Sequence, residues 1–247
     1  MKKSKFIGPL IILFLWFIIT SFEFINPLFI PSIPSVLNSF KELFSTSSFY
    51  FDILSTFQRL VFGFFIGAFV GIVFGIPAGY SERLYNSLEF LIDFFRSIPV
   101  TALFPLFLLF FGIGDVAKIG ITAWSSFLIV LFNTIYGVRN SRKTRVLVAQ
   151  TMKATKLQLF YKVILPDSLP QIFTGLRTSL SLALIVVIVT EMFLGTTNGI
   201  GQRIFNTSIT YKVPEMYASI LIAGILGYSL NKLFALIELK TIHWSGK

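Results

Sequence analysis

Residues 61–80 read VFGFFIGAFVGIVFGIPAGY, twenty positions without a charge. That is the length an α-helix needs to cross a hydrocarbon core of about 30 Å. Gly63, Gly67, Gly71, Gly75 and Gly79 recur every four residues, so on a helix they form one flat stripe. In lipid, where apolar burial separates helices weakly from their solvent, such a stripe lets a second backbone come close. The segment therefore reads as a membrane helix packed against protein. A neighbour in the same bundle and a seam with a second subunit both satisfy it.

The rest of the chain agrees. Of its 247 residues 55% are hydrophobic and 13% charged, with a mean hydropathy of +0.81, whereas a soluble domain carries roughly 25% charged residues. The apolar run that holds this stretch spans 60–80, and five further runs lie at 6–22, 97–114, 117–137, 172–194 and 216–238. The expected fold is an all-α integral membrane protein with about six transmembrane helices. The first run follows Met-Lys-Lys-Ser-Lys, but Ser21-Phe22-Glu23-Phe24 offers no small-residue cleavage site, so it reads as a retained span. The third contains Pro99 and Pro105, which are tolerated where neighbouring protein satisfies the freed backbone groups.

Six spans put both termini on one side. Sixteen of the 21 basic residues fall on that side, against Lys41, Arg59, Lys118, Arg203 and Lys212 on the other. The bias places both termini and the 139–171 loop in the cytoplasm. The net charge of +10 is thus a topology signal and not a nucleic-acid surface. The chain divides into an N-terminal helix with an extracytoplasmic segment (1–54), a core (55–238) and a short cytoplasmic tail (239–247).

Little in the sequence supports covalent chemistry. There is no cysteine and one histidine, His243, so neither a metal site nor a nucleophile–base pair is expected. GTTNGIG at 195–201 follows no strand and lies on the extracytoplasmic side, so it reads as a flexible turn; no GxxxxGK[ST] occurs.

Polar side chains inside apolar runs are candidates for a solute path. Thr122, Ser126 and Asn133 share one helix face, as do Thr174, Thr178 and Ser181. Bonding back to their own helix carbonyls explains them equally well. Glu191 shares a face with Arg177, about 21 Å away along the axis, too far for an ion pair within the helix. Arg177 can snorkel to the cytoplasmic interface. Glu191 is either an outer-gate or cavity residue or a carboxylate satisfied by the backbone of 195–201.

One segment interrupts the apolar pattern: VAQTMKATKLQLFYKVILPDSLP at 148–170. Leu157, Phe160, Tyr161 and Ile164 recur at i, i+3, i+4 and i+7, and Val148 and Met152 lie four apart. The spacing predicts two short amphipathic helices outside the bilayer, with Pro166 limiting the second and Pro170 opening the next span. Such an apolar face needs a membrane surface or a groove on a cytosolic partner.

This loop resembles the EAA loop of bacterial ABC importer permeases, which runs Glu-Ala-Ala, three residues, Gly, nine residues, then Ile-x-Leu-Pro. Counting back from Leu165-Pro166, Val163 takes the Ile place and Lys153 the Gly place. Leu147, Val148 and Ala149 stand at Glu-Ala-Ala. FIPSIPSVLNSF, FRSIPVTALFPLFLLFFGIGDVAKI, LPDSLPQIFTGLRTSL and TEMFLGTTNGIGQRI likewise resemble the permeases for nitrate, sulfonate, taurine, bicarbonate and pyrimidine-precursor uptake.

The resemblance implies a type I importer: a five-helix core plus one N-terminal helix, in a multi-pass bacterial inner-membrane protein. It also implies a second permease copy or paralogue, separate ATPase subunits holding ATP and Mg, and an extracytoplasmic substrate-binding protein. The ATPase would be contacted through Ala149, Met152, Lys153, Ala154, Leu157, Phe160, Tyr161, Leu165 and Pro166. The path or its gate would be lined by Thr122, Ser126, Asn133, Thr178, Ser181 and Glu191. If the loop needs a positive φ at the glycine place, Lys153 costs about 1–2 kcal/mol there. The competing expectation is an ion-coupled secondary transporter or channel acting without an ATPase. It calls for paired intramembrane charges and inverted repeats, whereas the sequence offers one intramembrane carboxylate and no clear repeat.

Overall fold

The computed structural model describes residues 7–22, 24–141 and 143–242; Lys2, Lys3, Lys5, Arg142, His243 and Lys247 lie outside them. Every regular element among the described residues is helical. In order these are α1 (Ile7–Ser21), α2 (Ile33–Ser45), α3 (Ser47–Tyr80) and α4 (Glu82–Ser97). A 3-10 turn (Val100–Leu103) precedes α5 (Phe104–Phe111), followed by α6 (Asp115–Arg139), α7 (Lys143–Thr151) and α8 (Lys156–Leu159). A π turn (Phe160–Ile164) leads into α9 (Leu165–Phe193), and α10 (Ile200–Ile209) and α11 (Val213–Thr241) complete the chain.

Four helices are long and apolar enough to span a membrane: α3, α6, the continuous helix Lys156–Phe193, and α11. A fifth span is formed if α4 and α5, bent by 90° at the break between them, count as one. The sequence suggests six. Two places account for the difference. Helix α1 has 15 residues, about 22 Å, which is short of the hydrocarbon thickness. The run at 97–114 is not a straight helix, because Pro99 and Pro105 break it and α4 supplies its other arm.

Helix α6 is the centre, held between α3 and α9. The glycine stripe faces it: a Cβ on Gly63 would stand 2.6 Å from Thr122 Cβ, one on Gly71 2.9 Å from Val130 Cβ, one on Gly75 2.7 Å from Thr134 Cβ and one on Gly79 2.8 Å from Val138 Cβ. At Gly67 the obstacle is the backbone carbonyl of Ala123. All five glycines therefore serve one intramolecular seam. On the other side of α6, Asn133 lies against Gly175 of α9. Helix α4 lies along this core, with Tyr85, Leu88 and Ile92 against Ala78, Leu131 and Ile135. Arg96 and Arg139 stack on Phe132 and Tyr85, each 3.8 Å from the ring centroid. Helix α11 covers α9, α10 and α2 through Ile222, Ala223 and Gly227.

Pro166 does not end a helix, contrary to the sequence expectation. The chain runs helically from Lys156 through Pro166 and Pro170 to Phe193. A proline ring collides with the carbonyl four residues back and cannot donate to it. Here the preceding turn widens to a π turn, in which Leu165 N donates to Phe160 O, and the helix absorbs the proline instead of stopping. The start at Lys156 is fixed by a capping box: Thr155 Oγ1 accepts from Gln158 N at 3.3 Å, and Gln158 Oε1 accepts from Thr155 N at 2.9 Å.

Candidate functional site

Three regions carry the polar chemistry, one at each end of the bundle and one between α9 and α11.

At the end where α3, α6 and α11 begin, Asp52, Thr56 and Arg59 lie on one face of α3 and are buried. Arg59 Nη1 donates to Glu191 Oε1 at 2.6 Å and to the Asn198 carbonyl at 2.8 Å. Its Nε donates to Asp115 Oδ1 at 2.8 Å and its Nη2 to Thr196 Oγ1 at 3.0 Å. Glu191 is wholly buried and also accepts from Thr56 Oγ1 and Gly201 N, both at 2.9 Å. The backbone donors of Gly199, Ile200 and Gly201 meet Asp52, Thr56 and Glu191 respectively, at 2.8–2.9 Å. The first N–H groups of a helix have no intrahelical partner, so α3 and α9 supply the acceptors that fix α10 in place. Arg203 extends the lattice to Asp52, Glu215 and Ser48.

Sequence reading found Glu191 and, as one alternative, its bond to the backbone of 195–201, which Gly201 N makes, but missed Arg59 and Thr56 of α3. Helix α3 starts thirteen residues before the predicted span at 60–80, so Arg59 counted as a loop charge. The signal was the i, i+4, i+7 spacing of Asp52, Thr56 and Arg59. The stretch 195–201 is a turn only as far as Gly199; α10 follows.

At the opposite end, α7 and the start of Lys156–Phe193 enclose a groove of about 690 Å³. Its lining includes Val148, Ala149, Met152, Val163, Pro166 and the Arg145–Asp167 ion pair. Lys153 adopts φ +57° in the turn between the helices, the left-handed region that costs a side-chain-bearing residue about 1–2 kcal/mol. Around it Lys153 N donates to Gln150 O and Ala154 N to Ala149 O. Met152, Leu157 and Tyr161 are exposed. Phe160 is a correction. It is half-buried with its ring 5.6 Å from that of Tyr80, because the π turn rotates it away from the outward face, and Ile164 is buried. The predicted four-residue apolar face is therefore split into an outward pair, Leu157 and Tyr161, and an inward pair. Leu165 is half-buried at the start of α9.

The six residues expected on the path separate. Thr122 and Ser126 are buried in the α3–α6 seam. Thr122 Oγ1 donates to Lys118 O, and Ser126 Oγ has no partner among the described residues. Asn133 belongs to the α6–α9 seam, where its Oδ1 accepts from Gln171 Nε2 at 2.8 Å. All three point into protein, Thr122 and Ser126 toward α3 and Asn133 toward α9. Glu191 is sealed in the network above. Thr178 and Ser181 line a recess of about 610 Å³ shared with Thr174, Arg177, Asn231 and Glu238.

With this geometry in view, the chain was compared with known proteins. A family model described as binding-protein-dependent transport system inner membrane component matches residues 63–238. The chain is 30% identical to the putative aliphatic sulfonates transport permease protein SsuC of Bacillus subtilis (strain 168), over 96% of this chain and 85% of that one. It is 26% identical to the taurine transport system permease protein TauC of Escherichia coli (strain K12), over 98% and 90%. A chain of the MetNI methionine ABC transporter, in an inward-facing conformation, superimposes with a TM-score of 0.62 over 80% of this chain and 97% of that one, at 20% identity. That likeness concerns the fold. The family model spans the glycine seam, the groove and the recess together, and on that match and the SsuC identity the chain belongs to the binding-protein-dependent permeases, the membrane components of ABC importers of the nitrate, sulfonate and taurine type.

Proposed function

We propose that this chain is the transmembrane subunit of an ATP-driven importer for a small polar or anionic solute. SsuC and TauC are named for sulfonates and taurine, and a solute of that class has a matching cation in Arg177 of the recess between α9 and α11. On this reading the chain performs no covalent chemistry, and separate ATPase subunits bind ATP and Mg. The groove end lies in the cytoplasm of a bacterial inner membrane. The Arg59–Glu191 end faces outward toward a substrate-binding protein, and a second permease completes the pathway.

The observation that carries the proposal is the exposed apolar edge of Met152, Leu157 and Tyr161 beside the groove of α7. It stands in the most basic segment of the chain, where positive-inside bias excludes translocation. An apolar edge in water asks for a protein partner. The test is Tyr161→Asp together with Leu157→Asp, which leave the inward-packed Phe160 untouched. The expected outcome is loss of copurifying ATPase and at least tenfold less ATP-driven uptake into proteoliposomes, with unchanged thermal stability of the permease itself. Full assembly and transport by these variants, or uptake by this chain alone without ATP, would overturn the proposal.

A secondary transporter calls for intramembrane charge pairs, and Arg59–Glu191 is one. Its groups are 6% and 0% exposed, however, and Glu191 is fully engaged with backbone and hydroxyl donors. A coupling carboxylate needs access to an ion from at least one side.

A further inference from the structure

Resting on the importer reading, we propose that the recess between α9 and α11 is an anion subsite. In it, Arg177 takes the oxoanion group of the passing solute, a sulfonate or carboxylate.

Arg177 differs from five of the other arginines, and shares with the exposed Arg83 of α4 the lack, among the described residues, of an ion pair or ring partner. Arg59, Arg145 and Arg203 are salt-bridged, and Arg96 and Arg139 lie over aromatic rings. Among the described residues the Arg177 guanidinium has neither kind of partner, and it lines the recess of about 610 Å³. A bare guanidinium inside an apolar helix is costly unless water or a ligand meets it; the recess holds this one cation and one carboxylate, Glu238.

The other lining groups narrow the ligand. Thr174 and Thr178 donate to the carbonyls of Pro170 and Thr174, both at 2.9 Å. Ser181 Oγ donates to Asn231 Oδ1 at 3.0 Å. Their protons are thus committed. Asn231 Nδ2 gives one hydrogen to Gly227 O and keeps a second. The free donors are that N–H and the planar fork of Arg177, a geometry matched to two oxygens of one oxoanion. Glu238 also lines the recess, seven residues and about 10 Å along α11 from Asn231, and offsets part of the field of Arg177. One fork without a second cation holds an anion weakly, which suits a station the solute must leave.

The chain contains no cysteine, so a single introduced thiol reports on this recess without background from the permease. In membrane vesicles carrying the full transporter, Ser181→Cys is labelled with anionic methanethiosulfonate ethylsulfonate and with cationic methanethiosulfonate ethyltrimethylammonium. Each rate is divided by that of a small thiol in solution. The anionic reagent should win by about tenfold, the effect of one unit charge a few ångströms away in a medium between water and protein. The preference should fall to about one in Arg177→Gln and persist in Arg177→Lys, and methanesulfonate should slow labelling only where the cation is present. Thr178→Cys provides the same readout if Ser181→Cys does not assemble. A preference that ignores Arg177, or no labelling at either position, overturns the proposal. ATP-driven uptake by the natural chain is measured alongside; its absence would overturn the importer reading instead and leave the charge preference to stand or fall separately.

Discussion

Glu191 sits where no water reaches it, and its removal shows what kind of group it is. Glu191→Ala leaves a buried guanidinium with Asp115, itself 62% exposed, as its remaining charged partner. It also strips acceptors from Thr56 and from the first turn of α10. Breaking a buried pair from one side costs about 3–5 kcal/mol, whereas replacing both partners by apolar side chains is often near neutral. Thermal unfolding of the purified protein should therefore show a large drop for Glu191→Ala and recovery of at least half of it in Arg59→Leu/Glu191→Leu. A double variant as unstable as the single one would mean that the network is not governed by the charge pair. Glu191 stood out in the sequence as a lone carboxylate in an apolar run. Arg59 did not, since hydropathy places it just outside a span, and helix ends are set by capping and packing that a window average does not register.

At the scale of elements, periodicity revealed seams but not which side of a seam is wet. The four-residue glycine spacing identified the face of α3 correctly, because only a close backbone neighbour makes five bare positions in register worth keeping. Thr122, Ser126 and Asn133 have an equally regular spacing and pack against α3 and α9. A hydroxyl satisfied by its own helix looks the same in sequence whether it faces water or glycine. Helices α2 and α10 lie outside the apolar runs, and α10 begins on acceptors borrowed from α3 and α9, so no local signal marks its start. Gly67→Val tests the seam. Its Cβ would meet the Ala123 carbonyl and lie 2.8 Å from Phe127 N, backbone atoms that cannot move without separating the helices. Overpacking of this kind costs about 3 kcal/mol or more, and protease resistance of the folded bundle should be lost. Gly224→Ala, with nothing within 4 Å, should leave it intact; equal behaviour of the two would remove the seam from the account.

For the molecule as a whole, the orientation is a matter of where basic residues cluster. If the groove end is cytoplasmic, Thr197→Cys in the exposed turn before α10 should react with an impermeant thiol reagent on intact cells. Lys156→Cys should react only after the membrane is opened, and the reverse pattern would invert the topology. Orientation matters because of the unbroken helix from Lys156 to Phe193. Its 38 residues measure about 57 Å, with Tyr161 near one tip and Glu191 near the other. A rigid rod pivoting near its middle swings both tips in opposite directions, and a 5° tilt moves each by about 2.5 Å. On the importer reading, with Glu191 pinned to α3 and Tyr161 exposed, the stroke of this rod would belong to the Tyr161 end and the fulcrum would lie close to the Arg59 clamp.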